Sequence, residues 1–474
     1  MITEQGTAEP RKIAHFTADE RAARGKAARA EIPRRSHAEW EPPPHRPDPI
    51  DLLEEQAQTR VPELVPIRYG RMLVSPFTFY RGAAYLMASD LSDGPRTGLH
   101  AQLCGDAHLS NFGAFAAPDR RLVFAINDFD ETLPGPFEWD VKRLVASFAV
   151  AGRARGFDTT TRETICAGVA RSYRESIRQF AAMRNLDVWY ARIHVEEVIA
   201  EWATHASGEQ RKRMERNLEK ARTKDSLKAF AKLTETVDGE PRIISDPPLL
   251  VPIEDLAGDQ AEMVVETFQG LLREYRQSLP TDRRHLLERF RYVHAARKVV
   301  GVGSVGTRAW VVLMLGRDDG DPLFLQAKEA QSSVLEPFLG KSAFKNHGRR
   351  VVEGQRLMQA ASDILLGWLH TVGIDGVERD FYVRQLWDAK GSAMVDVMEP
   401  DAMEGYGGLC GWTLAKAHAR SGDAIAIGSY LGSGEVFDKA MAAFAEAYAD
   451  QNERDYEALR QAVESGRVTA ENGV

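Results

Sequence analysis

The sequence predicts an α+β protein of two lobes, in which a mainly helical part is followed by a part rich in β-strands. Between residues 141 and 278, apolar residues recur at spacings of three and four, which is the period of amphipathic helices. From about residue 292 to residue 398, the pattern changes to short apolar runs separated by glycine and proline turns, which favours strands. A chain of 474 residues is long enough to bury the cores of two or three such units.

The composition argues against several classes of protein. Hydrophobic residues make up 43% of the chain and charged residues 27%, as in ordinary globular proteins. A formal net charge of -8 argues against nucleic acid as the main partner. The three cysteines, Cys104, Cys166 and Cys410, are widely spaced, so neither a disulfide framework nor a structural zinc site is predicted. Because no apolar run suits a signal peptide or a membrane span, we expect a cytoplasmic protein without a membrane partner.

Composition divides the chain into four parts. Residues 1–60 form a polar, proline-containing arm that we expect to be partly ordered, with a short helix at 51–60. The basic run at 21–35 could be a helix that packs on the surface or contacts a substrate, but its composition favours a solvated face. The other three parts are the helical lobe, the β-rich lobe and a set of helices that completes the helical lobe, at residues 61–290, 291–400 and 401–474.

The helical lobe contains several separate periodic segments. Helices are predicted at residues 141–149, 165–177, 188–202 and 263–275. The segment 211–224 is so highly charged that we expect an exposed helix there. The prolines of residues 239–252 predict a loop or a β-arm, and the chain contains no internal repeat.

The richest chemistry lies between residues 103 and 140, where two acidic clusters flank a short apolar run. The first cluster places Asp106 and Asn111 five positions apart, and the second contains Asp128 and Asp130. The run at 122–126 predicts a strand that follows a turn and carries Asp128 back toward Asp106. We therefore expect the oxygen ligands of both clusters to surround one site.

Phosphoryl transfer explains the residue types in these clusters. It needs a carboxylate that takes a proton from the acceptor hydroxyl, a role that suits Asp106. It also needs a few oxygen ligands for Mg²⁺, which Asn111 and Asp128 offer. Further candidates for the site are Arg81, a possible phosphate or carboxylate ligand, and His108, Asp130 and Asp140.

Two other interpretations of this stretch stay open. Loops rich in Asp, His and Asn are often only solvated turns. A metal-dependent hydrolase is the competing chemistry, because a Zn²⁺ ion or a metal pair could be held by His100, Asp106, His108, Asp128 and Asp130.

The β-rich lobe begins with a G-x-G-x-x-G motif at residues 301–306. A glycine run of the dinucleotide-binding type opens a helix, whereas the residues that follow here, 308–315, are apolar and β-branched. The glycines are therefore predicted to lie in the turn of a β-hairpin. The next predicted strand, 323–329, contains Lys328 near its end, and a lysine at a strand end is most often simply exposed.

The rest of this lobe is predicted to be one helix and two strands. The helix, at residues 349–369, contains Glu353 as the expected partner of Lys328, with Glu336 as the alternative. The strands are predicted at 381–386 and 393–398, and the second one ends at Met398 and Glu399.

These motifs resemble those of aminoglycoside and choline kinase-like enzymes. The H-G-D-x-H-x-x-N and I-D-F-D patterns of those enzymes match residues 104–111 and 126–129, with Cys104 in place of the first His. Residues 135–140 resemble their D-P-x-x-D-L-A helix start, so Asp140 is expected to cap a helix and tie down the loop. The glycine hairpin precedes the catalytic loop in kinases but follows it here, which implies a circularly permuted, protein-kinase-like, two-lobed fold.

The resemblance also implies roles for the residues of the β-rich lobe. The nucleotide, ATP with Mg²⁺, would be held by Gly301, Gly303, Ser304, Gly306, Thr307 and Lys328. Glu353 would position Lys328, while Met398 and Glu399 would form a hinge that binds adenine.

A second resemblance is to a family of bacterial proteins known only as a domain of unknown function. Its F-x-R-G, C-G-D-A-H-L-x-N-F-G, N-D-F-D-E and K-E-A motifs match residues 79–82, 104–113, 127–131 and 328–330. This resemblance covers most of residues 60–440 and implies nothing about the substrate.

Together the motifs favour an ATP- and Mg²⁺-dependent phosphotransferase with a small-molecule acceptor. The alternatives are a nucleotide-binding pseudokinase or regulator, and a transferase of AMP that would use the same residues. The metal hydrolase is less favoured because it leaves the glycine hairpin unexplained. The sequence predicts neither the identity of the acceptor nor the oligomeric state.

Overall fold

The computed structural model describes residues 14–203, 216, 226–257, 261–299, 301–373, 375–386, 391–471 and 473. It is a mixed α+β structure in which helices surround antiparallel sheets. The helices up to residue 182 are Ala18–Glu31, Pro49–Ala57, Val65–Met72, Pro76–Gly82, Ala84–Ser92, Phe137–Ala154 and Thr159–Ala182. Those that follow are Asn185–Tyr190, Val195–Ala203, Ser226–Leu233, Ile253–Ala257, Ala261–Gln277, Thr281–Leu287, Glu336–Leu339, His347–Met358, Pro400–Ser421, Ala424–Leu431 and Val436–Glu464.

The strands form one large sheet and three small ones. In chain order they are β1 His100–Leu103, β2 Phe112–Ala116, β3 Leu122–Ile126, β4 Leu133–Pro136, β5 Ile193–His194, β6 Thr234–Val237, β7 Glu240–Ile243, β8 Leu250–Pro252, β9 Arg291–Lys298, β10 Ala309–Leu315, β11 Pro322–Ala330, β12 Gly367–Val372, β13 Glu378–Gln385 and β14 Gly391–Ser392. The large sheet is antiparallel throughout, in the order β12-β13-β11-β10-β9-β8. The small sheets are β14-β2-β3-β5, β1-β4 and β6-β7.

The helical core is built around one helix, Phe137–Ala154, which is buried on nearly all sides. It packs with the helices Thr159–Ala182 and Val436–Glu464 through residues such as Phe148 and Tyr173. A helix enclosed in this way normally carries apolar residues all round. This one also buries Glu138, Asp140, Lys142 and Arg143, and buried charged groups need partners. The partners of Asp140 and Arg143 lie in the candidate site.

The large sheet packs on both sides. One face is covered by the helix Ala261–Gln277, whose Tyr275 packs with Leu325 and Val383. The opposite side meets the helical core through the helix His347–Met358, since its Val351 and Val352 belong to the same buried cluster as Phe148. The sheet is thereby held over the loops of the helical part.

Most of the predicted helices are present. The helices predicted at 141–149, 165–177 and 263–275 lie inside longer observed helices, and 51–60 corresponds to Pro49–Ala57. Strand β5 divides the segment predicted at 188–202 into two helices. The predicted helix 211–224 lies outside the described residues, apart from helical Arg216. The predicted β-arm at 239–252 contains β7 and β8.

The N-terminal arm is more firmly attached than its composition predicts. Its basic segment forms the helix Ala18–Glu31, which packs on Ala424–Leu431 and pairs Arg21 with Asp423 at 2.9 Å. A Cβ atom at Gly25 would lie 2.0 Å from the carbonyl oxygen of Ala426. Only glycine allows this close approach, so the helix is docked and not simply solvated.

Two predictions in the β-rich part are wrong. The helix predicted at 349–369 ends at Met358, and the chain then turns, with Asp363 accepting the backbone N–H of Leu365 at 2.8 Å, into β12. The strand predicted at 393–398 is replaced by a 3-10 turn at Val395–Val397. The reason is that Pro400 begins the next helix, a position that proline favours.

Within the described part of the chain, no helix combines the length and the apolar character needed to cross a membrane.

Candidate active site

The loop between β1 and β2 is fixed by a carboxylate from the buried helix. Asp140 accepts the backbone N–H groups of Cys104 at 2.8 Å and Gly105 at 3.0 Å, and it lies 3.3 Å from His418 Nε2. Gly105 has φ +83°, and a Cβ atom there would lie 2.4 Å from the carbonyl oxygen of Glu131. Asp140 therefore ties down the loop as expected. It does not cap the helix, which begins after Pro136 without a side-chain cap.

Asp106 is held by a buried arginine. Its Oδ1 accepts hydrogen bonds from Arg143 Nε at 3.0 Å and Arg143 Nη2 at 2.8 Å. Arg143 Nη2 also donates to the carbonyl oxygen of Tyr80 at 2.7 Å. Burial raises the pKa of Asp106, while Arg143 opposes the shift. His108 Nε2 lies 3.7 Å from Asp106 Oδ2, and burial lowers the pKa of His108 well below its usual value.

Backbone and side-chain bonds join the two acidic clusters. Asn111 Nδ2 donates to the carbonyl oxygen of Asp106 at 2.9 Å, and the backbone N–H of Asn127 donates to that of Asn111 at 2.8 Å. The Asn111 side-chain oxygen accepts no hydrogen bond from the part of the protein that the structure describes. Asp128 follows directly, and its Oδ1 accepts the backbone N–H of Asp130 at 3.1 Å. Burial, together with the Asp130 carboxylate, raises the pKa of Asp128.

A cavity of about 1370 Å³ brings the two halves of the predicted site together. From the helical part it is lined by Arg81, Asp106, His108, Asn111, Asp128 and Asp130. From the glycine-rich connection between β9 and β10 it is lined by Gly301, Gly303, Ser304 and Thr307. The glycines lie in a hairpin connection, as their sequence context predicts. Gly306, with φ +90°, faces Arg60 instead of the cavity.

Lys328 lies immediately behind the cavity, on β11. Its Nζ donates to Asp130 Oδ2 at 2.6 Å, and Tyr382 Oη donates to Asp130 Oδ1 at 2.6 Å. Only 3% of the lysine side chain is exposed. Burial acts to lower the pKa of Lys328, but Asp130, Tyr382 and Asp128 together oppose burial and the pKa is raised. Burial acts to raise the pKa of Asp130, whereas the lysine lowers it. The lysine is therefore a buried cation.

The predicted ion pair between Lys328 and Glu353 is wrong. Glu353 lies 3.8 Å from Arg356 on its own helix, and the alternative, Glu336, lies 4.0 Å from Arg350. The helix His347–Met358 buries Val351 and Val352, which leaves Glu353 half-buried at its edge. Lys328 forms its ion pair with Asp130 instead.

The predicted hinge is also wrong. No strand leads to Met398 and Glu399, and neither residue lines the cavity. The Met398 carbonyl oxygen accepts a hydrogen bond from Arg155 Nε at 3.2 Å, and the Glu399 side chain is 80% exposed. They form the start of the helix Pro400–Ser421, because proline sets the helix boundary here.

The sequence did not reveal the residues that clamp the glycine-rich connection. Arg60 donates to the carbonyl oxygen of Val305, and the backbone N–H of Val61 donates to that of Gly306 at 2.8 Å. Arg71 Nη1 reaches the Gly301 carbonyl oxygen at 2.6 Å. No motif marks these contacts. A hint for Arg143 existed, because a cation in a helix that is buried on nearly all sides needs a buried partner.

Glu131, the last residue of the N-D-F-D-E motif, also lines the cavity. Its Oε2 accepts the backbone N–H of Val334 at 2.7 Å. Burial raises the pKa of Glu131 to about 7, with smaller contributions in the same direction from Asp130 and Asp106. A carboxyl group that titrates near neutral pH is available for proton transfer.

The donor set of the alternative hydrolase does not converge. Among the residues with described positions, no group of three or more His, Cys, Asp or Glu side chains is arranged to hold a metal. His100 lies on β1 and is exposed. The pair Asn111 and Asp128 fits Mg²⁺ better, since this ion takes few protein oxygens and completes its shell with phosphate and water.

The site therefore defines an α+β protein with a charged cavity between a helical part and a large antiparallel sheet. A family model described as "Uncharacterized protein conserved in bacteria (DUF2252)" matches residues 60–462, and the chain belongs to this family. No curated protein and no solved structure matches the chain.

Proposed function

We propose that this protein is an ATP- and Mg²⁺-dependent phosphotransferase with a circularly permuted, protein-kinase-like fold, acting on a small-molecule acceptor. The observation that carries the proposal is the Lys328–Asp130 ion pair. It joins residues 198 positions apart, beside a cavity that both Asp106 and the glycine-rich connection line. No local motif couples these residues, yet they meet where a phosphotransferase needs a cation, metal ligands and a base.

The order of elements along the β-rich part supports this proposal. A glycine-rich connection joins β9 to β10, a lysine lies on the next strand, β11, and the helix His347–Met358 follows. Kinases have the same succession of glycine-rich loop, lysine strand and helix. In this chain the succession comes after the catalytic-loop motif, which is the permutation that the proposal includes.

The proposed reaction assigns one role to each residue. The acceptor hydroxyl loses its proton to Asp106, its oxygen forms a bond to the γ-phosphorus of ATP, and the bond from that phosphorus to the bridging oxygen breaks, so that ADP leaves. Arg143 and Asp140 hold the Asp106 loop in place. Mg²⁺, held by Asn111 and Asp128, would neutralise charge on the phosphates.

Lys328 supplies a permanent positive charge next to the metal ligands. An ammonium group has three donors, of which Asp130 takes one, so further donors remain for phosphate oxygens. Asp130 performs the positioning that kinases assign to a glutamate of the following helix.

The test begins with ligand binding and continues with transfer. Thermal unfolding is measured with ATP plus Mg²⁺, ATP alone, Mg²⁺ alone and Zn²⁺ alone. We expect the largest stabilisation with ATP plus Mg²⁺, about 2.7 kcal/mol at a ligand concentration 100 times Kd. Acceptors are then screened with ATP labelled at the γ- or the α-phosphate.

The labels separate the alternatives. Transfer of γ-label supports the proposal, and transfer of α-label indicates AMP transfer by the same residues. Binding without any transfer indicates a pseudokinase or regulator. If neither binding nor transfer is detected at millimolar ATP, or if Zn²⁺ alone stabilises the protein, the proposal fails.

A further inference from the structure

Arg81 is a cavity cation that lacks an ion-pair partner among the residues that the structure describes. Arg81 lies in the last turn of the helix Pro76–Gly82 and lines the cavity. Its Nε is buried without a hydrogen-bond partner, and in the described part of the chain its guanidinium forms no ion pair with Asp or Glu. Arg81 is half-buried, and a partly desolvated guanidinium without a partner is costly, so such a group normally has an anion beside it.

Arg81 stands between the two loops that carry the proposed chemistry. A Cβ atom at Gly303 would lie 3.3 Å from the Arg81 carbonyl oxygen, so the glycine-rich connection rests on its backbone. On the other side, the carboxylates of Asp106, Asp396 and Asp128 attract the guanidinium without forming an ion pair with it. Its position is thus shared between the glycine-rich connection and the catalytic loop.

The backbone around Arg81 is rigidly held. Arg143 donates to the carbonyl oxygen of Tyr80 at 2.7 Å and accepts the Tyr80 hydroxyl on its own carbonyl oxygen at 2.7 Å. Arg68 donates to the carbonyl oxygen of Gly82 at 3.0 Å. Because Arg143 also holds Asp106, Arg81 and Asp106 are fixed relative to each other by one side chain.

The contrast with Arg143 indicates what Arg81 is for. Both arginines lie next to Asp106, but Arg143 donates hydrogen bonds to Asp106 and Tyr80 and is fully enclosed. Arg81 donates to no carboxylate in the described ranges of the chain, and it lines the cavity. A planar guanidinium with free donors matches the paired oxygens of a phosphate group.

We infer that Arg81 is a catalytic residue that binds the phosphoryl group during its transfer, acting as an arginine supplied by the same chain. The identity of the anion as a nucleotide phosphate rests on the proposed function, whereas the anion site itself rests on the position of Arg81. Arginines used in this way neutralise the charge that develops on the transferred phosphoryl group.

The binding test uses inorganic tripolyphosphate as the probe, in the absence of nucleotide and Mg²⁺. Isothermal titration compares the wild-type chain with Arg81→Met, Arg81→Lys and the control Arg96→Met. Arg96 is an exposed arginine whose guanidinium lies over the Trp139 ring, so its loss changes the net charge equally. We expect Arg81→Met to weaken tripolyphosphate binding at least about tenfold, Arg81→Lys to weaken it less, and Arg96→Met to leave it unchanged.

A second measurement requires no variant. Phenylglyoxal modifies accessible arginines of the wild-type chain, and mass spectrometry reads each site. We expect tripolyphosphate to protect Arg81 but not Arg96. Equal modification of Arg81 with and without the probe, or tripolyphosphate affinity unchanged in a folded Arg81→Met chain, overturns the inference.

The outcomes also distinguish this inference from the proposed function. If tripolyphosphate binds through Arg81 while ATP plus Mg²⁺ neither binds nor reacts, the anion site stands and the phosphotransferase fails. If γ-phosphate transfer is observed but both binding and transfer are insensitive to Arg81→Met, the phosphotransferase stands and the role of Arg81 is wrong.

Discussion

The ion pairs Arg143–Asp106 and Lys328–Asp130 both border the cavity, and they differ in how many donors of the cation are already used. Arg143 directs two nitrogens at one oxygen of Asp106 and a further bond at Tyr80, and its ring contact with Tyr80 is 4.0 Å. Lys328 makes one bond to Asp130, which a tyrosine also holds. Arg143 is saturated in the sense that its donors are used within the protein, and its role is structural. The ammonium group of Lys328 keeps further donors, as the phosphate binding that we propose for it requires.

The pairs also differ in how far apart their members lie in the chain. Arg143 and Asp106 are separated by 37 positions within one helical part, whereas Lys328 and Asp130 are separated by 198. The long-range pair exists only when the sheet is docked on the helical core. Experiments on the two pairs therefore separate the stability of the helical part from the assembly of the site.

The largest expected effect is on catalysis at the saturated pair. Asp106→Asn should lower the rate of phosphate transfer by about 10²–10⁴, because the base is lost while the shape is kept. ATP affinity should stay near the wild-type value. Asp128→Asn is the matched variant, for which we expect Mg²⁺-dependent nucleotide binding itself to be lost. Equal loss of binding in both variants would make Asp106 a metal ligand and would favour a hydrolase.

The next effect is on stability and compares the two cations directly. Arg143→Met should reduce the free energy of unfolding by about 3–5 kcal/mol, because it leaves the Asp106 carboxylate buried without a partner. Lys328→Met should cost less, about 1–2 kcal/mol, since Asp130 keeps its bond from Tyr382. Urea unfolding measures both values. Similar losses in the two variants would contradict the distinction between a saturated and an available cation.

The protonation of Glu131 makes the stability of the protein depend on pH, and the carboxylates of both ion pairs, Asp130 and Asp106, contribute to its raised pKa. Its folded-state pKa of about 7 lies above the unfolded value, so the folded chain binds this proton more tightly. The contribution of Glu131 to stability is therefore full below about pH 4 and falls as the pH rises to about 7. Compared with Glu131→Gln, the wild-type chain should lose about 1–3 kcal/mol of stability across this range. If the difference in the free energy of unfolding between the wild-type chain and Glu131→Gln is constant from pH 4 to pH 8, the pKa of Glu131 is not raised.

The smallest expected effect concerns Lys328, the cation that we propose to bind the nucleotide. Lys328→Met should weaken ATP binding at least about tenfold, or about 1.4 kcal/mol, through loss of a charged phosphate contact. Asp130→Asn should act in the same direction, and the double variant should lose less than the sum, because the two side chains act as a unit. Glu353→Gln should be neutral, since this side chain lies beside Arg356. If Lys328→Met keeps the full affinity for ATP, the β-rich part does not form the nucleotide site.

Much of the local structure could be predicted because its causes are local. The apolar spacing at 141–149 and 263–275 predicts helices that the structure contains, and the apolar run after Gly306 places the glycines in a hairpin. The errors lie where a neighbour overrides the pattern. The helix predicted to reach residue 369 ends at Met358, and the strand predicted before Met398 gives way to a turn before Pro400.

By itself the sequence determined which groups can react, because the residue types and their spacing near Asp106, Asn111, Asp128 and Lys328 are set by covalent order. Only the tertiary structure decided which of these groups meet. Lys328 selects Asp130 instead of Glu353 because the rotation of the helix His347–Met358 turns Val351 and Val352 inward and leaves Glu353 half-buried at its edge. Arg143 becomes saturated and Arg81 stays available for the same reason: burial and packing assign partners to charges, and neither is written in the spacing of residues along the chain.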